Sequence, residues 1–356
     1  MLAPAGVVKQ DAWMRTRPCP NCYLCECSGD VLYRGLVDHL FGAPGTWDLR
    51  ICPNARCGIA WLDPMPTEGD IGKAYNTYYT HRNQGELERS AESRLKRILD
   101  FAKRTYLMEK YRHGDCKLPR VARKVVSLPF SISRAFRESV EIPFAYLLRD
   151  RGRLLDVGCG DGGIVKLGCE LGWDAVGVEV DPKAAANAQS VGLKVYLGSL
   201  ASQGFPDNSF DLILMNHVIE HVHDPSSLLR ECRRVLRPGA LLVVVTPNIR
   251  SWGHARFGRD WRGIEPPRHL HIFSSRALAG IATSAGLKDV NISTTMRSAP
   301  FALRVSKSLR RAAADPTRKV EESEGQLYGW VASFAEQVLV NSDPLLGEEL
   351  LLEAQK

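Results

Sequence analysis

The sequence has no apolar run long enough to cross a bilayer, which takes roughly 18 to 20 residues. Its opening stretch, MLAPAGVVKQDAWMRTRP, also lacks the continuous apolar core of a secretory signal. Neither an internal repeat nor a low-complexity tract is present, which argues against a repeat architecture. These absences predict a protein without a transmembrane segment, located in the cytoplasm.

The sequence also lacks any strong overall charge, but its charge is unevenly distributed. Of the 356 residues 24% are charged and 44% are hydrophobic, which is ordinary for a globular protein, and the net charge is +7. Residues 91–153 hold 16 Lys and Arg against 7 Asp and Glu. This segment either contacts an anionic partner, including the surface of a membrane, or forms a solvated basic helical face.

Cysteine, in contrast, is abundant near the beginning of the chain. Six of the ten cysteines lie in the first 57 residues, at Cys19, Cys22, Cys25, Cys27, Cys52 and Cys57. In a reducing compartment such a cluster favours metal over disulfides. Two pairs of thiolates suit one structural Zn²⁺, and we predict as ligands Cys19, Cys22, Cys52 and Cys57. The second pair is separated by four residues, where two are commoner, so Cys25 and Cys27 remain alternative ligands.

From residue 153 onward, short apolar strands alternate with helices. The strands are LLDVG, DAVGVEV, KVYL, FDLILMN, ALLVVVT, VNISTT and, at the end, ELLLEAQK. Asp181-Pro182 and Asp224-Pro225 each read as a helix N-cap followed by proline at the first helical position. The pattern predicts an α/β fold with a mostly parallel, seven-stranded sheet and helices on both of its faces.

The most informative motif follows the first of these strands. The sequence Asp156-Val-Gly-Cys-Gly-Asp161-Gly-Gly places glycines where a strand turns into a helix, and the second strand ends in Glu179. The string also satisfies the G-x-G-x-x-G pattern of dinucleotide sites, in which a helix N-terminus receives a pyrophosphate. Two carboxylates beside the turn disfavour a diphosphate and suit a ligand with a sulfonium and an ammonium group. A nicotinamide-dependent enzyme is therefore the weakest alternative.

Several motifs together resemble the class I S-adenosylmethionine-dependent methyltransferases. The glycine-rich turn is similar to their first motif, and further similarities follow in the family's order: residues 176–182, 205–211, 217–222, 235–239, 246–248 and 267–273. The last two ranges, and the cysteine-rich lead with its run CGIAWLDPMP, resemble the bacterial branch that includes sugar and small-molecule methyltransferases. The resemblance implies a Rossmann-like methyltransferase fold over residues 151–356.

The resemblance also implies which residues bind S-adenosylmethionine. The methionine part would be held by Asp156, Gly158, Cys159, Gly160, Asp161 and Gly162. Glu179 would hold the ribose and Asn216 would line the site. The family often has an acid near the adenine, but this sequence has Ser199 followed by Leu200 at that place. We therefore expect backbone and apolar contacts to hold the adenine.

Methyl transfer often needs a base on the acceptor side, and histidines are the main candidates. We predict His217, His221 and His269 as catalytic residues, with Glu220 and His271 as further candidate bases. The string His217-x-x-Glu-His also spells an inverted zinc-protease signature, which we reject because it lies at a strand-to-helix junction. It resembles instead the acid-x-x-Glu-His segment of ubiquinone-pathway O-methyltransferases, some of which bind a metal there, with His217 in place of the first acid.

The stretch between Pro247 and Phe273 shows no clear secondary structure in the sequence. It carries two tryptophans and five arginines, namely Arg250, Arg256, Arg259, Arg262 and Arg268. Aromatic rings stack on sugars and arginines bind phosphates or carboxylates, so we expect an anionic or sugar-containing acceptor. A nucleotide-linked or lipid-linked sugar fits this expectation. A solvated loop is the alternative interpretation.

These observations divide the chain into three parts. We predict a cysteine-rich, zinc-binding segment over 1–80, a basic helical connector over 81–150 and a methyltransferase domain over 151–356, with an insertion at about 297–345. A nucleic-acid or protein methyltransferase is an alternative, although no strong nucleic-acid-binding pattern is present. A non-catalytic cofactor-binding partner subunit is the other alternative.

Overall fold

The computed structural model describes residues 14–75, 94–111, 119–149, 151–315, 317–322 and 324–356. Within these residues, no helix combines the length and the apolar character that crossing a membrane requires. The predicted boundary near residue 80 lies outside the described residues, and the division into three domains stays a prediction.

A seven-stranded sheet forms the centre of the larger part of the molecule. Its strands are β6 (Arg153–Val157), β7 (Asp174–Glu179), β8 (Val195–Leu197), β9 (Phe210–Asn216), β10 (Leu236–Pro247), β12 (Lys288–Thr295) and β13 (Glu349–Gln355). The spatial order is β12-β13-β10-β9-β6-β7-β8. Neighbouring strands from β10 to β8 run parallel, and β13 is antiparallel to both of its neighbours. The predicted α/β fold with a mostly parallel, seven-stranded sheet is confirmed.

Ten α-helices are described, and several begin where the sequence places a capping residue. Three precede the sheet: α1 (Arg94–Tyr111), α2 (Arg120–Ile132) and α3 (Arg134–Leu147). The others are α4 (Gly163–Glu170), α5 (Pro182–Ser190), α6 (Pro225–Val235), α7 (Trp252–Phe257), α8 (Ser275–Ser284), α9 (Ala299–Ala314) and α10 (Gln326–Ser342). The side chains of Asp181, Asp224 and Ser274 accept hydrogen bonds from the first turns of α5, α6 and α8. These bonds satisfy amide groups that have no partner inside the helix.

The cysteine-rich part contains two small sheets. One pairs β1 (Thr16–Arg17) with β5 (Met65–Pro66). The other has the order β11-β4-β3-β2, built from β2 (Asp30–Leu36), β3 (Trp47–Ile51), β4 (Ala60–Asp63) and β11 (His271–Ile272). Because β11 belongs to the chain after β10, the second sheet joins the cysteine-rich part to the part that contains the seven-stranded sheet. One hydrophobic core extends through both.

The stretch after Pro247 is more regular than the sequence suggests. It contains α7, a 3-10 turn at Gly258–Asp260 and β11, and most of its residues are buried. The expectation of a stretch without secondary structure, and its alternative of a solvated loop, are therefore wrong. The reason is tertiary: β11 pairs with β4, which is more than 200 residues earlier in the chain.

Candidate functional site

The glycine-rich turn between β6 and α4 is shaped to receive a ligand at its middle. Gly158, Gly160 and Gly162 all have positive φ angles, which a residue with a Cβ adopts only under strain. A Cβ at Gly158 would lie 2.3 Å from a methyl group of Val218, and one at Gly162 would lie 2.5 Å from Leu193. A Cβ at Gly160 would meet nothing within 4 Å. The ends of the turn are thus packed tightly, while its centre faces open space.

Two buried carboxylates border this turn. Glu179 accepts hydrogen bonds from the amides of Gly160 and Asp181, both at 2.8 Å. Since a carboxylate oxygen can accept more than one bond, Glu179 can still accept bonds from ribose hydroxyls. Asp156 is 2% exposed, and burial, reinforced by the charges of Glu179 and Asp161, raises its pKa to about 8. A positively charged ligand would relieve this crowding of acids, whereas a diphosphate would increase it.

The other predicted cofactor residues lie around the same end of the sheet. Cys159 is buried within the turn. Asn216 ends β9, and its side-chain oxygen accepts a hydrogen bond from Arg297. Ser199 is exposed just beyond β8, and Leu200 is buried. Their placement is consistent with the predicted pocket, and their roles stay predictions.

His217 is held between two carboxylates and is poorly suited to act as a base. It directly follows β9 with a φ of 54°, a backbone conformation that is uncommon outside glycine. Its Nδ1 lies 3.0 Å from Glu220 and its Nε2 lies 2.6 Å from Glu349. These carboxylates raise the pKa of His217 to about 9, although burial opposes the shift. The imidazole is therefore protonated at neutral pH, and both of its nitrogens are occupied.

His221 and His269 form a second group beside the ionic cluster of His217, Glu220 and Glu349. Their rings are 4.7 Å apart. His221 Nδ1 lies 3.0 Å from the carbonyl oxygen of Arg268, and His269 Nδ1 lies 2.7 Å from that of Gly263. Since a carbonyl only accepts, each Nδ1 is the protonated nitrogen when the ring is neutral, which leaves each Nε2 with a lone pair. Burial lowers the pKa of His269 to about 4, so that ring is neutral.

Among the described residues, these two histidines, together with one carboxylate, form the only group with histidine ligands that could hold a metal ion. Ligand atoms of Glu220, His221 and His269 lie within 4.8 Å of one another. His271, the remaining candidate base, lies in β11 with its ring 5.5 Å from that of Tyr23. Because it is 1% exposed and packs against the cysteine-rich part, His271 does not join this group.

Three residues of the site, Tyr75, Arg297 and Glu349, were missed by the sequence interpretation. The hydroxyl of Tyr75 lies 3.0 Å from His221 Nδ1, and therefore brings the cysteine-rich part to the candidate base. Arg297 contacts both Asn216 and Glu349, at the points where β9 ends and β13 begins. None of the three forms a local pattern with the residues that it contacts, so only the fold reveals them.

Two of the arginines that we expected to bind an acceptor are instead part of a buried ionic network. Arg268 is 0% exposed and contacts Asp38 and Glu265, each at 2.8 Å, and it also donates to the carbonyl of Ala74. Arg262 pairs with Glu265 as well. These guanidinium groups fix the stretch after β10 onto the cysteine-rich part. Because both groups are buried and already paired with carboxylates, they are not available to bind an acceptor.

The cysteine cluster differs from the predicted one in a single ligand. Four sulfurs lie within 4.8 Å of one another, and they belong to Cys22, Cys25, Cys52 and Cys57. Measured pairs are 3.8 Å (Cys22–Cys57), 3.5 Å (Cys22–Cys25) and 3.3 Å (Cys25–Cys52). Tetrahedral zinc with Zn–S bonds of about 2.3 Å would separate its sulfurs by about 3.8 Å. These thiols therefore fit Zn²⁺ without a large rearrangement.

Cys19, which we predicted as a ligand, is outside this group, and Cys25 takes its place. A tight turn is the reason: the amide of Glu26 donates to the carbonyl of Cys22, and the amide of Cys22 donates to that of Cys27. The carbonyl of Cys19 instead accepts the indole N–H of Trp61. Cys27 lies 3.3 Å from Cys52, at the edge of the cluster.

Comparison with known proteins finds similarity to methyltransferases. Residues 132–292 match a family model described as a methyltransferase domain. An O-methyltransferase of ubiquinone biosynthesis from Cereibacter sphaeroides is 33% identical over 144 residues, which covers 38% of this chain and 56% of that protein. The corresponding protein of a Caulobacter species is 34% identical over 128 residues, covering 33% and 51%. The chain thus spans about half the length of the curated relatives it matches.

Among solved structures, the chain is similar to an S-adenosylmethionine-dependent methyltransferase from Archaeoglobus fulgidus. The identity is 19% and the TM-score 0.42, and the match covers 65% of this chain and 98% of the other.

Proposed function

We propose that this chain, a member of the class I S-adenosylmethionine-dependent methyltransferases, transfers a methyl group from that cofactor to an oxygen of a small-molecule acceptor. One observation carries the proposal: buried acids border an open glycine turn at the carboxyl end of the central strand β6. Ligands of open α/β sheets bind at this edge. The family match over residues 132–292 supports the same activity.

Each acid has a separate task in binding the cofactor. Asp156, Asp161 and the glycine turn would hold the methionine part, where the acids attract its ammonium and sulfonium charges. Glu179 would accept the ribose hydroxyls through the lone pairs that its amide partners leave. Ser199 and Leu200 would border the adenine.

His221 is the base that the geometry favours among the three predicted histidines. Bound S-adenosylmethionine would supply an electrophilic methyl carbon to the acceptor oxygen. The acceptor's proton then passes to His221 Nε2, because Nδ1 is oriented by the carbonyl of Arg268 and the hydroxyl of Tyr75. His221 is half-buried and can be reached by an acceptor, whereas His269 is only 4% exposed and packs against the ring of His221. His217 holds Glu220 and Glu349 in place instead of acting as a base.

A sugar-containing acceptor, such as a nucleotide-linked or lipid-linked sugar, is our first choice for the substrate. It rests on the aromatic-rich stretch after β10 and on the resemblance to the sugar branch. Burial of Arg262 and Arg268 removes part of the support for an anionic group. A hydroxyl on a quinone-like ring is the second choice, favoured by the names of the relatives.

We also propose that Cys22, Cys25, Cys52 and Cys57 bind one structural Zn²⁺. All four sulfurs are available as a closed set, which is typical of structural rather than catalytic zinc. A reducing compartment, such as the cytoplasm, would keep these thiols available for the metal.

Replacement of His221 by alanine tests the proposed base. We expect kcat for methyl transfer to fall by about 10²- to 10⁴-fold, because general-base assistance is worth that much, while the cofactor dissociation constant stays within about twofold. The assay follows labelled methyl transfer to nucleotide-linked sugars, lipid-linked sugars and ring hydroxyls. The exposed His39, replaced by alanine, is the matched control.

Full activity of His221→Ala would remove His221 from the mechanism. Transfer to ring hydroxyls alone would select the second acceptor class. Cofactor binding without transfer to any class would favour the non-catalytic partner subunit.

A further inference from the structure

Helix α10 presents an uncharged and largely apolar face to solvent. Leu327 is 78% exposed, Val331 60% and Val338 67%, and the rings of Trp330 and Phe334 are about two-fifths exposed. The only charged residue among its 17 is Glu336, and this side chain is fully buried. Exposed apolar faces of this kind are rare on monomeric soluble proteins and mark surfaces that bind something.

The fold does not need this outer face, because the inner face already fixes the helix. Gly329, Ala332, Ser333 and Val340 are buried. A Cβ at Gly329 would lie 2.1 Å from the carbonyl oxygen of Pro300, so α10 packs very closely on α9. Its outer apolar residues therefore call for a partner outside the described chain.

A second exposed apolar stripe, on α2, adjoins the first. It consists of Val121, Val125, Leu128 and Ile132, which are 75%, 66%, 55% and 54% exposed and follow helical spacing. The two helices meet at Gln337, whose side chain bonds the carbonyl of Ile132 and the amide of Arg134. Trp330 of α10 also contacts Phe136 with ring centroids 5.6 Å apart. The outer faces of α2 and α10 are thus neighbouring parts of one surface.

The charge carried by α2 itself has one sign. It contains the cations Arg123 and Lys124 and no acid. The neighbouring α1 contributes the exposed Arg104, together with Glu109, which accepts a hydrogen bond from Ser127 of α2. An apolar face with a basic border and an interfacial tryptophan is the pattern of helices that lie in the headgroup region of anionic membranes. Two copies of the chain that met through this face would bring their basic borders together, which disfavours self-association.

We propose that the outer faces of α2 and α10, the docking face, bind this protein to the surface of a membrane that contains anionic lipid. The apolar side chains insert below the headgroups, and the α2 cations contact lipid phosphates. The buried inner face of α10 packs near the stretch after β10, since its Glu336 is close to Glu348, which accepts the indole N–H of Trp261. The docking itself does not depend on the proposed activity.

Vesicle flotation of the full chain tests the docking face. With vesicles of phosphatidylglycerol and phosphatidylcholine we expect the protein to float, and with pure phosphatidylcholine, or in about 0.5 M salt, to float much less. Val338→Glu should weaken partitioning about tenfold, because a carboxylate replaces an inserted apolar side chain. Val191→Glu is the matched control, since Val191 at the end of α5 is also 67% exposed, and it should float like wild type.

Circular dichroism and the melting temperature must be unchanged in both variants, and Val331→Glu provides a repeat at an independent position. Three results would overturn the proposal: no flotation of wild type with anionic vesicles, equal flotation of Val338→Glu and wild type, or a dimer in sedimentation velocity that Val338→Glu dissociates.

Discussion

Replacing Cys22 and Cys52 together by serine is expected to remove the proposed zinc and to unfold the cysteine-rich part of the protein. Each pair of thiolates would lose one member, so no closed set of four ligands remains. Binding of structural zinc is worth roughly 10 to 16 kcal/mol in small zinc modules, far more than a small sheet of this size gains from packing. The loss is therefore the largest single effect that we predict.

The disturbance should spread to the candidate site. The hydroxyl of Ser274, which caps α8, donates to the carbonyl of Cys57, and β11 pairs with β4. Elemental analysis should show loss of one zinc per chain, and hydrogen exchange should accelerate in both β4 and β11. Cys169→Ser is the control, because Cys169 is exposed and outside the cluster. Unchanged zinc content in the double variant would refute the assignment of these ligands.

Replacing Arg268 by methionine is expected to lower the free energy of unfolding by about 3 to 5 kcal/mol. The substitution keeps most of the apolar volume but leaves the buried carboxylate of Asp38 without the cation beside it and reduces the cations on Glu265 to Arg262. It also removes the bond to the carbonyl of Ala74, next to Tyr75. Denaturant unfolding at constant pH measures the effect.

Arg259→Met is the control for this prediction. Arg259 is exposed and, within the described part of the chain, donates to the carbonyls of Arg34 and Gly35, so its loss should cost less than about 1 kcal/mol. Equal stability of the Arg268 and Arg259 variants would show that the buried network does not join the two parts of the molecule.

The elements that the sequence predicts correctly are those with local causes. The caps Asp181 and Asp224 satisfy amides two or three residues ahead of them, so a short pattern is enough to locate the starts of two helices. The glycine turn is equally local. The strands of the sheet follow from apolar runs between such helices, and their parallel order follows from the alternation itself.

What the sequence does not reveal depends on contacts between distant residues. Strand β11 has only two residues, and pairing with β4 rather than its own pattern makes it a strand. His217 is as good a candidate base as His221 in the sequence, until Glu349 is found 2.6 Å away from its second nitrogen. Arg268 suits an anionic acceptor in the sequence, until Asp38 is found beside it. Each of these corrections required the fold.

The most direct test of the account is calorimetric titration of the wild type and of Asp156→Asn with S-adenosylmethionine and with NAD⁺. We predict that the wild type binds S-adenosylmethionine and not NAD⁺, and that Asp156→Asn weakens the binding more than tenfold, or about 1.4 kcal/mol. Burial raises the pKa of Asp156 to about 8, and a bound cation would lower that pKa and favour the charged carboxylate. Asparagine cannot ionise, so the variant would lose this interaction with the cofactor. Equal affinity of both proteins for S-adenosylmethionine, or measurable binding of NAD⁺, would contradict the proposed cofactor site.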